Sequence, residues 1–571
     1  MKVLGIHIGH DSGSSLIIDG QIVADVSEER LVRIKHYAGL PVNSIHFCLT
    51  AGKISFDELD FIAISSEIND PKLKTLLNLS DERFNQIITN NLPRISFGTR
   101  VKNIIKNRIT YQETPPLYMG FYNLAPKTKV VKVDHHLSHA SSAYYTSGFK
   151  DCLIITCDGV GEETSVAIWK GIHGKIREIK KYGTSGSFGW FYSLATEALG
   201  WWVGDGEGKT MGLAPYGDRK AVLDKKVLVH YLPSYQNGEI TKGVDFGNVK
   251  YFKEFDAFHW HFPDAAKVKE VVQRYGAENV AAETQDLLEK SMVDFVKYWV
   301  KKEAVNNLAT SGGVFLNVKL NQKIIEDNIV ENYSVFPNAG DAGLSLGAAL
   351  YTSKAFSKED IAQKIDHIYW GPSYSNDEIE SILRERNLHY RKSDNISKEA
   401  ARALADQKII GWFQGKMESG PRALGGRSIL FDPGKPENKD IINMRVKFRE
   451  PFRPFCPSIM EEYAHEYLST SYKDRYMITA CNVKSEKRNT IPAVTHVDGT
   501  CRPQLISRQI NRRFWELLDN FRQYTGVPVL LNTSFNIKGE PIVCSPRDAI
   551  KCFFDTGLDL LCIGDFIVSK R

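Results

Sequence analysis

The sequence predicts an α/β protein of at least two domains. A buried strand that runs into a small-residue turn carrying an aspartate, followed by a tight hairpin, begins at residues 3–8 and again at 153–157. Amphipathic helical patterns alternate with short apolar strands, as where 287–301 leads into 305–309. Such patterns are typical of sheets covered by helices. A chain of 571 residues is also too long for a single hydrophobic core.

Each copy of the repeated unit places an aspartate in the turn after its first strand. In the first copy this turn carries His10 and Asp11, and Asp19-Gly20 then gives a two-residue hairpin signal. In the second copy the apolar run ends at Asp158. The duplicated arrangement resembles the actin/Hsp70/sugar-kinase superfamily, whose members hold nucleotide phosphates between two lobes. The resemblance implies an actin-like (ASKHA) first domain with a duplicated ribonuclease-H-like fold.

A stretch rich in lysine, aspartate and glutamate at 355–368 separates two apolar patterns. We therefore expect a first domain over residues 1–360 and a second over 366–571. The second half combines apolar strands with loops rich in glycine, proline and arginine.

The composition is that of an ordinary soluble globular protein. Hydrophobic residues make up 42% of the chain and charged residues 25%. No apolar run approaches the roughly 18 residues of a transmembrane helix. We expect no secretion signal, because Asp11 interrupts the first apolar run early. The nine cysteines include no C-x-x-C pair, which favours reduced thiols and a cytoplasmic setting. A net charge of +5 permits a polyanionic partner without requiring one.

Two histidines and an aspartate form a candidate metal site. His135 and His139 are four residues apart, which on a helix puts both imidazoles on one face, one turn apart. Asp158 stands where an apolar run meets glycine, a usual place for a strand end to present a carboxylate. Such a set suits iron, manganese or zinc. In the alternative, Asp134 caps the helix and the histidines are packed and hydrogen-bonded.

A small-residue turn at 337–343 opens a later apolar helix. Asp341 in this turn is expected either to cap the helix or to supply the metal with another carboxylate, and the two roles are compatible.

Two glycine-rich stretches are candidates for binding a nucleotide. Glycines around Lys209, within 204–217, let backbone N–H groups and the lysine approach phosphate. A long turn without a ligand is the alternative, because no Walker pattern is present. A Ser-Gly-Gly turn at 311–313 lets the backbone approach a ligand closely, and adenosine is the ligand we expect. The candidate residues are Gly208, Lys209, Gly212, Gly312, Gly313 and Asn317.

Basic residues of the second half lie in loops, not on an amphipathic surface helix. Arginine and lysine in pre-organised loops suit phosphate, pyrophosphate and carboxylate-like anions. A structural role is the alternative for any single residue of the set. Its members are Arg422, Arg427, Lys447, Arg449, Arg453 and Arg502.

Five segments together resemble the NodU/CmcH/TobZ-type O-carbamoyltransferase family. The most specific is the glycine- and arginine-rich pattern at 415–428, and the resemblance runs nearly end to end. Lys416 and Ser419 depart from the usual family pattern without affecting its core chemistry. The other segments are 135–139, 207–217, 443–455 and 531–536.

This resemblance implies an ATP-dependent carbamoyltransferase. An α+β YrdC-like second domain would form carbamoyl adenylate from carbamoyl phosphate and Mg-ATP, and the first domain would pass the carbamoyl group to a hydroxyl. Fe(II), or another divalent metal, would be bound by His135, His139, Asp158 and Asp341. Carbamoyl phosphate and ATP would be bound by Arg422, Arg427, Lys447, Arg449, Arg453, His496, Arg502, Asn532, Ser534 and Asn536. His10 is our candidate general base, and the catalytic set we predict is His10, Asp11 and His136.

Two other functions fit parts of the sequence. A threonylcarbamoyl transferase acting on tRNA needs only a free-standing first domain with a separate YrdC partner, and the fused second domain argues against it. A non-enzymatic actin-like ATP-binding module has no use for the metal cluster or the arginine-rich half.

The acceptor and the oligomeric state stay open at this point. A natural product, a sugar or a hydroxymethylated pyrimidine in DNA would each present a hydroxyl. The basic segment 97–132 is read first as a solvated face, and in the alternative as a groove for a phosphate-bearing acceptor such as nucleic acid. A homodimer and a monomer are both compatible with the sequence.

Overall fold

The computed structural model describes residues 1–65, 71–91, 121–223, 225–246, 249–254, 257–357 and 363–570. Within these ranges, no helix combines the length and the apolar character needed to cross a membrane. Most of the basic segment 97–132 lies outside the described residues, so its predicted role stays a prediction.

Two five-stranded sheets of the same topology build the first half. In each sheet three antiparallel strands continue into two parallel ones. The spatial order of the first sheet is Gln21–Ser27, Gly13–Ile18, Lys2–His7, Phe61–Ile64 and Lys129–Lys132. The corresponding order of the second is Lys175–Gly183, Thr164–Ile172, Asp151–Gly161, Asn307–Ser311 and Asn332–Val335. The predicted duplicated, actin-like fold is therefore confirmed.

Local turn chemistry explains the hairpins of these sheets. Asp19 and Gly20 have φ values of 48° and 78°, so both central positions of the predicted turn are left-handed, as a two-residue hairpin requires. The second repeat differs from the expectation in one respect. The strand predicted to end near Asp158 runs on to Gly161 through an irregularity in its pairing. Asp158 is thus presented from within an irregular strand.

Helices pack against both sheets of the first half. The predicted helix at 287–301 is part of the longer helix Ala277–Glu303, whose Trp299 is buried in the core beneath the second sheet. The remaining helices are Glu28–Val32, Val42–Gly52, Pro71–Leu76, Asp81–Asn91, His135–Ser147, Phe188–Ala198, Glu207–Leu213, Lys226–His230, Ala265–Tyr275, Val318–Glu326 and Leu344–Phe356.

Two of these helices cross at very close range. They are His135–Ser147, with the two candidate metal-binding histidines, and Leu344–Phe356. A Cβ at Gly347 would lie 2.0 Å from the backbone oxygen of Ser138. Only a glycine permits this approach, so Gly347 sets the position of the histidine helix.

An eight-stranded mixed sheet forms the second half. Its spatial order is Tyr390–Lys392, Phe566–Ser569, Leu560–Ile563, Ile410–Phe413, Arg427–Phe431, Val529–Ser534, Cys456–Met460 and Gln504–Ile506. Most neighbouring strands are antiparallel, and Trp412 is buried between the sheet and two helices. The helices are Asn376–Glu385, Ile396–Ala405, Asn438–Ile442, the π-helix Asn443–Lys447, Ala464–Tyr467, Arg512–Thr525 and Pro546–Phe554. The predicted α+β class of this half is confirmed.

Three two-stranded ribbons complete the described part of the chain. They pair Ser234–Gln236 with Glu239–Lys242, Lys250–Glu254 with Ala257–His261, and Cys481–Asn482 with Thr500–Cys501.

The two halves contact each other directly. Asn321 donates its side-chain N–H to the backbone oxygen of Ile478 at 2.8 Å, and the Ala480 amide donates to Val318 at 3.0 Å. The domain limits of 1–360 and 366–571 stay a prediction.

Gly347→Ala is expected to lower the free energy of unfolding by about 1–3 kcal/mol, the usual cost of forcing a methyl group into a packed interior. The cause is the contact with the Ser138 carbonyl, and thermal and denaturant unfolding measure it. The matched control is Gly183→Ala, where a Cβ would lie 3.6 Å from its nearest neighbour, Glu163 O. Equal stability of the two variants would contradict the role assigned to Gly347.

Candidate metal centre and anion pocket

Four side chains from three separate elements converge in the first half. One helix presents His135 and His139 one turn apart, as their spacing predicts. A strand supplies Asp158 and a short turn supplies Asp341. One ligand atom of each residue lies within 4.8 Å of those of the others. The structure therefore brings together the four predicted metal ligands.

Asp134 and Asp341 are both candidates for capping a helix, and only Asp134 occupies an N-cap position. Asp134 does cap the histidine helix, because its side chain accepts a 2.9 Å hydrogen bond from Leu137 N. That cap is compatible with the convergence of the histidines on the two carboxylates. Asp341 is not an N-cap residue, because Gly340 and Gly343 stand at the N-caps of the short turn and of the helix that follows it. Its carboxylate lies 3.5 Å from His139 Nε2 and so faces the cluster.

The distances leave room for a cation between the four groups. His139 Nε2 lies 3.1 Å from Asp158 Oδ2 and 3.5 Å from Asp341 Oδ1. His135 Nε2 lies 3.8 Å and 3.7 Å from the same two oxygens. This nitrogen is buried and has no hydrogen-bond partner in the described part of the chain. A buried nitrogen that faces two carboxylates in this way fits a metal ligand.

A second layer of contacts fixes the orientation of the ligands. His139 Nδ1 lies 3.3 Å from Ser311 Oγ. The two oxygens of Asp158 accept hydrogen bonds from the amides of Gly159 at 2.8 Å and Gly313 at 3.3 Å. Partners of this kind hold a ligating side chain in one orientation.

Electrostatics in the cluster match the needs of a divalent cation. Burial would lower the pKa of His139, but Asp158 and Asp341 outweigh it and raise that pKa to about 9. Burial would raise the pKa of Asp158, but His135 and His139 hold it well below its usual range. The carboxylates are thus ionised and attract positive charge. Two imidazole nitrogens and two carboxylate oxygens fit a divalent metal with positions left for other ligands.

His10 approaches this cluster from the first repeat. Its Nε2 lies 3.1 Å from Asp341 Oδ2 and its Nδ1 lies 3.0 Å from Asp11 Oδ2. Burial alone would lower the pKa of His10, but Asp341 and Asp11 raise it to about 9. The predicted pair of His10 and Asp11 therefore stands at the edge of the metal cluster.

Two further residues, which the sequence analysis missed, extend this arrangement. His36 Nδ1 lies 2.8 Å from Asp11 Oδ1, and His36 Nε2 lies 3.7 Å from Asp205 Oδ1. Asp11 and His36 both have left-handed backbones, with φ values of 58° and 54°. Such conformations are uncommon outside glycine and concentrate at functional sites. The available sequence signal was a run of charged residues directly after a strand.

His136, predicted to be catalytic, occupies a packing position instead. Its two ring nitrogens lie 2.9 Å from Thr156 Oγ1 and 2.9 Å from Thr164 O. Burial and the neighbouring His135 and His139 lower its pKa to about 3. Because both nitrogens are engaged inside the fold, His136 is not placed to reach a substrate.

Four arginines of the second half line a pocket. Burial first, and then the other guanidinium groups, lower the pKa of Arg422 and of Arg449 to about 9. Arg422 Nε is buried with no hydrogen-bond partner in the described ranges. Buried like charges repel each other, so an anion is the counter-charge that this pocket fits. The four are Arg422, Arg449, Arg453 and Arg502.

Neighbouring groups orient these guanidinium planes. Arg449 lies over the ring of Phe455 at 4.4 Å and donates to Asn443 Oδ1 at 3.0 Å. Arg502 donates from two nitrogens to Cys456 Sγ, at 3.2 Å and 3.0 Å. The guanidinium groups are thus held in place before a ligand arrives.

Arg427, predicted to bind a ligand, does not face the pocket. It is fully buried over the ring of Phe413 at 3.7 Å, and it donates to backbone oxygens of Gln414 at 3.0 Å and Pro372 at 2.9 Å. Its role is to hold the loop that carries Arg422.

Lys447, also predicted to bind a ligand, supports another loop. Its ammonium group donates to Asn536 O at 3.0 Å and to Asn536 Oδ1 at 2.8 Å. Burial, and then the nearby Arg449, holds the pKa of Lys447 well below its usual range. Lys447 thus fixes the position of the loop that carries Asn536, without itself lining the cavity.

The predicted polar residues of the pocket face the same space. Asn532 donates to Ser458 Oγ at 2.9 Å, and its buried Oδ1 has no partner among the residues described. Ser534 donates to Asn536 Oδ1 at 2.6 Å. His496 approaches Phe452 O at 3.4 Å through Nε2.

The glycine-rich stretches are divided between the cavity and the packing around it. Gly208, Gly212, Gly313 and Asn317 line the cavity. Gly312 has a φ of 102°, and a Cβ there would lie 2.2 Å from Cys157 O, so its role is close packing. The ammonium group of Lys209 lies 4.0 Å from Glu450 Oε1 and points towards the second half, and burial lowers its pKa.

One cavity of about 1060 Å³ joins the metal cluster to the anion pocket. His10, Asp158 and Asp341 line one part of it, and the four arginines of the pocket line another. Both halves of the chain therefore contribute to a single continuous cavity.

Sequence profiles of one family match both halves. The profile described as Carbamoyltransferase N-terminus matches residues 2–350, and Carbamoyltransferase C-terminus matches 401–570. The chain belongs to the carbamoyltransferase family. The predicted family and the predicted enzyme class are thereby confirmed.

Relatives of this carbamoyltransferase extend over the whole chain. Nodulation protein NolNO of Sinorhizobium fredii is 35% identical over 98% of this chain and 79% of its own length. Uncharacterized protein MJ1058 of Methanocaldococcus jannaschii is 31% identical over 100% of both chains. Nodulation protein U of Rhizobium tropici is 26% identical over 100% of this chain and 96% of its own length.

Among solved structures, the activator of the 2-hydroxyisocaproyl-CoA dehydratase from Clostridium difficile has a TM-score of 0.34 at 13% identity, covering 62% of this chain and 95% of its own. HypF of T. kodakarensis has a TM-score of 0.31 at 12% identity, covering 63% and 49%. The fold assignment of the carbamoyltransferase rests on its sheet topology.

His139→Ala is expected to abolish the binding of a divalent metal at the cluster, because three remaining ligands would hold it much less tightly. Elemental analysis of protein dialysed against ferrous or zinc salt measures the stoichiometry. The matched control is His136→Gln, which changes the adjacent buried histidine and should keep its metal. Loss of metal from the control alone would contradict the ligand assignment.

Metal affinity is expected to rise with pH between about 7 and 9. His139 has a pKa of about 9 in the metal-free cluster, so it carries a proton at pH 7 that the metal must displace. Calorimetric titrations in buffers of different ionisation enthalpy would reveal the proton release. Binding that is independent of pH and of the buffer would contradict this assignment.

Proposed function

We propose that this carbamoyltransferase makes carbamoyl adenylate in its second, YrdC-like domain and transfers the carbamoyl group to a hydroxyl in its first. The observation that supports this division is the single cavity, which is lined by ionised carboxylates and imidazoles in one part and by guanidinium groups in the other. An electrophile made in one part would have only a short path to the other within the same cavity.

In the first half-reaction, water cleaves carbamoyl phosphate to carbamate and phosphate. A carbamate oxygen then attacks the α-phosphorus of Mg-ATP, and the bond to pyrophosphate breaks. Arg422, Arg449, Arg453 and Arg502 would offset the negative charge of both substrates and of the transition state. Asn532 would accept from the carbamoyl amide, since its Oδ1 has no partner in the described residues.

In the second half-reaction, an acceptor hydroxyl attacks the carbamoyl carbon. The bond from that carbon to the AMP phosphate breaks, AMP leaves, and the hydroxyl proton passes to a base. We assign this base to His10 in the form that has lost the proton favoured by Asp341 and Asp11, because its ring borders the cavity and Asp11 orients it. A divalent metal, Fe(II) by family resemblance, supplies charge that offsets that of the leaving phosphate. The backbone at Gly313 and the amide of Asn317 would hold the adenosine.

There is a chemical reason for the two sites to share one cavity. Carbamate is a poor electrophile, whereas its anhydride with AMP has a good leaving group but also reacts with water. A shared cavity shortens the path of this intermediate and limits its contact with bulk solvent.

The acceptor we propose is a hydroxyl compound, either a natural product, a sugar or a hydroxymethylated pyrimidine in DNA. The metal cluster and the arginine pocket require only that the hydroxyl reach the carbamoyl carbon. Threonylcarbamoyl transfer to tRNA is disfavoured, because it would leave the fused arginine pocket without a role.

His139→Ala is expected to abolish carbamoyl transfer while pyrophosphate release continues, because the metal cluster lies outside the arginine pocket. Arg453→Ala is expected to slow both reactions by about 100-fold or more, since it removes a charge contact to the first substrates. A coupled assay measures pyrophosphate, and mass spectrometry measures the gain of one carbamoyl group across a panel of acceptors.

The matched control is Arg445→Ala. Arg445 lies in the same stretch of chain as Arg453, but it bonds to Gly557 O at 2.7 Å and to Asp559 at 3.0 Å, away from the cavity. It should leave both rates near those of the wild type. Equal loss of pyrophosphate release in the His139 and Arg453 variants would refute the division of labour. No release from the wild type would remove carbamoyl adenylate from the proposal.

A further inference from the structure

We propose that Arg30 and Arg33 of the first domain are positioning residues for the anion pocket of the second. Both lie on or directly after the short helix Glu28–Val32, which follows an edge strand of the first sheet. Arg30 donates to one backbone oxygen and Arg33 to two backbone oxygens of loops that line the cavity, which both arginines also border. The inference rests on the proposed function in one respect, namely that this pocket binds carbamoyl phosphate and ATP.

Arg30 holds the loop that carries Arg422. Its guanidinium group is buried and donates to Gly420 O at 3.0 Å. Gly420 has a φ of 92°, so the chain turns sharply two residues before Arg422. Next to it, Ser419 donates its hydroxyl to the buried carboxylate of Asp25 in the first domain. Two successive residues of this loop are thus bound by the first domain.

Arg33 bonds to a second loop of the pocket, the one that contains Pro541 and Ile542. Its two terminal nitrogens donate to Ile542 O at 2.6 Å and to Pro541 O at 2.7 Å, and its Nε lies 3.7 Å from Asp548. Pro541 and Ile542 line the cavity, on the same loop as Asn536. A forked guanidinium group fixes two adjacent carbonyls in a way that a single donor cannot.

The helix Glu28–Val32, which carries Arg30, is itself fastened to the rest of the first domain. The buried carboxylate of Glu28 accepts from the amides of Asn43 at 3.0 Å and Ser44 at 2.7 Å, which fastens the helix to the first domain. Glu29 lies 3.2 Å from Arg30 Nε and so fixes that guanidinium from its other edge. Movement of either loop therefore requires breaking charged hydrogen bonds in a buried interface.

The contacts of Arg30 and Arg33 determine when the anion pocket can bind its ligands. Arg422 and Asn536 lie on loops whose backbones are bonded to the first domain, so the pocket has its shape only while the two domains are docked. Carbamoyl adenylate would then form only where the domain that consumes it is already in place. Arg30 and Arg33 act through the two loops, by their N–H donors and not by their charge alone.

The test compares substrate binding with turnover in the full chain. Arg30→Ala and Arg33→Ala are expected to raise KM for carbamoyl phosphate in pyrophosphate release by about 10-fold or more, with kcat reduced by less than about threefold. Titration with inorganic phosphate should show a similar loss of affinity. Guanidinium ion at millimolar concentration should restore part of the affinity of the alanine variants.

Arg33→Lys separates position from charge, because lysine keeps the charge but cannot fork to two carbonyls. It should recover little of the loss, and it also decides the question should the alanine variants fail to fold. The matched control is Arg83→Ala. Arg83 forks to Leu124 O and Ala125 O, both at 2.8 Å, entirely within the first domain, and its loss should leave KM unchanged.

Full recovery in Arg33→Lys would overturn the proposal in favour of a direct charge contact with substrate. Unchanged phosphate affinity in both alanine variants would overturn it as well. A wild type that binds phosphate but releases no pyrophosphate would refute the proposed function alone, and the phosphate titrations would still decide the role of Arg30 and Arg33.

Discussion

Two partly buried carboxylates, Asp158 and Asp341, impose the main constraint on the first domain. An ionised carboxylate inside a protein is costly unless positive charge lies beside it. In the metal-free protein His139 and His10 supply that charge, and for this reason their pKa values rise to about 9 in spite of burial. A divalent cation can replace the protons on His139 and satisfy the bare nitrogen of His135. Helix, strand and turn must therefore meet within a few ångströms, and the close helix crossing makes this meeting possible.

The second domain has a comparable constraint, but there the charges that lack a counter-charge are positive. Burial, and then the neighbouring guanidinium groups, lower the pKa of Arg422 and of Arg449. An anion would relieve this repulsion, just as a cation would relieve the demand of the carboxylates. Since both sites open into one cavity, a ligand that carries phosphate is stabilised directly by the arginines, whereas near Asp158 and Asp341 it would need a bound cation to offset the carboxylates. In the proposed reaction the adenylate phosphate would move from the arginines towards that cation site.

The sequence predicted the structure correctly where a local pattern of residues determines the geometry. Helical spacing predicted the joint presentation of His135 and His139, and repeated strand-turn patterns predicted the duplicated sheets. Orientation across a strand was not predictable. Arg422 and Arg427 belong to one motif, yet Arg427 begins a strand and turns under Phe413 while Arg422 faces the cavity. His36 follows no local pattern either, because its contact with Asp11 depends on two left-handed residues far apart in the chain.

A single short segment, residues 28–36, contacts both sites. Arg30 and Arg33 bond to loops of the anion pocket, and His36 bonds to Asp11, which orients His10 beside the metal cluster. Coupling between distant groups requires contiguous contacts, and charged hydrogen bonds hold this partly buried stretch in place. A shift of the second domain would therefore displace the same backbone that supports His10. The anion pocket and the metal cluster share one piece of chain, so a change of geometry at one would also affect the other.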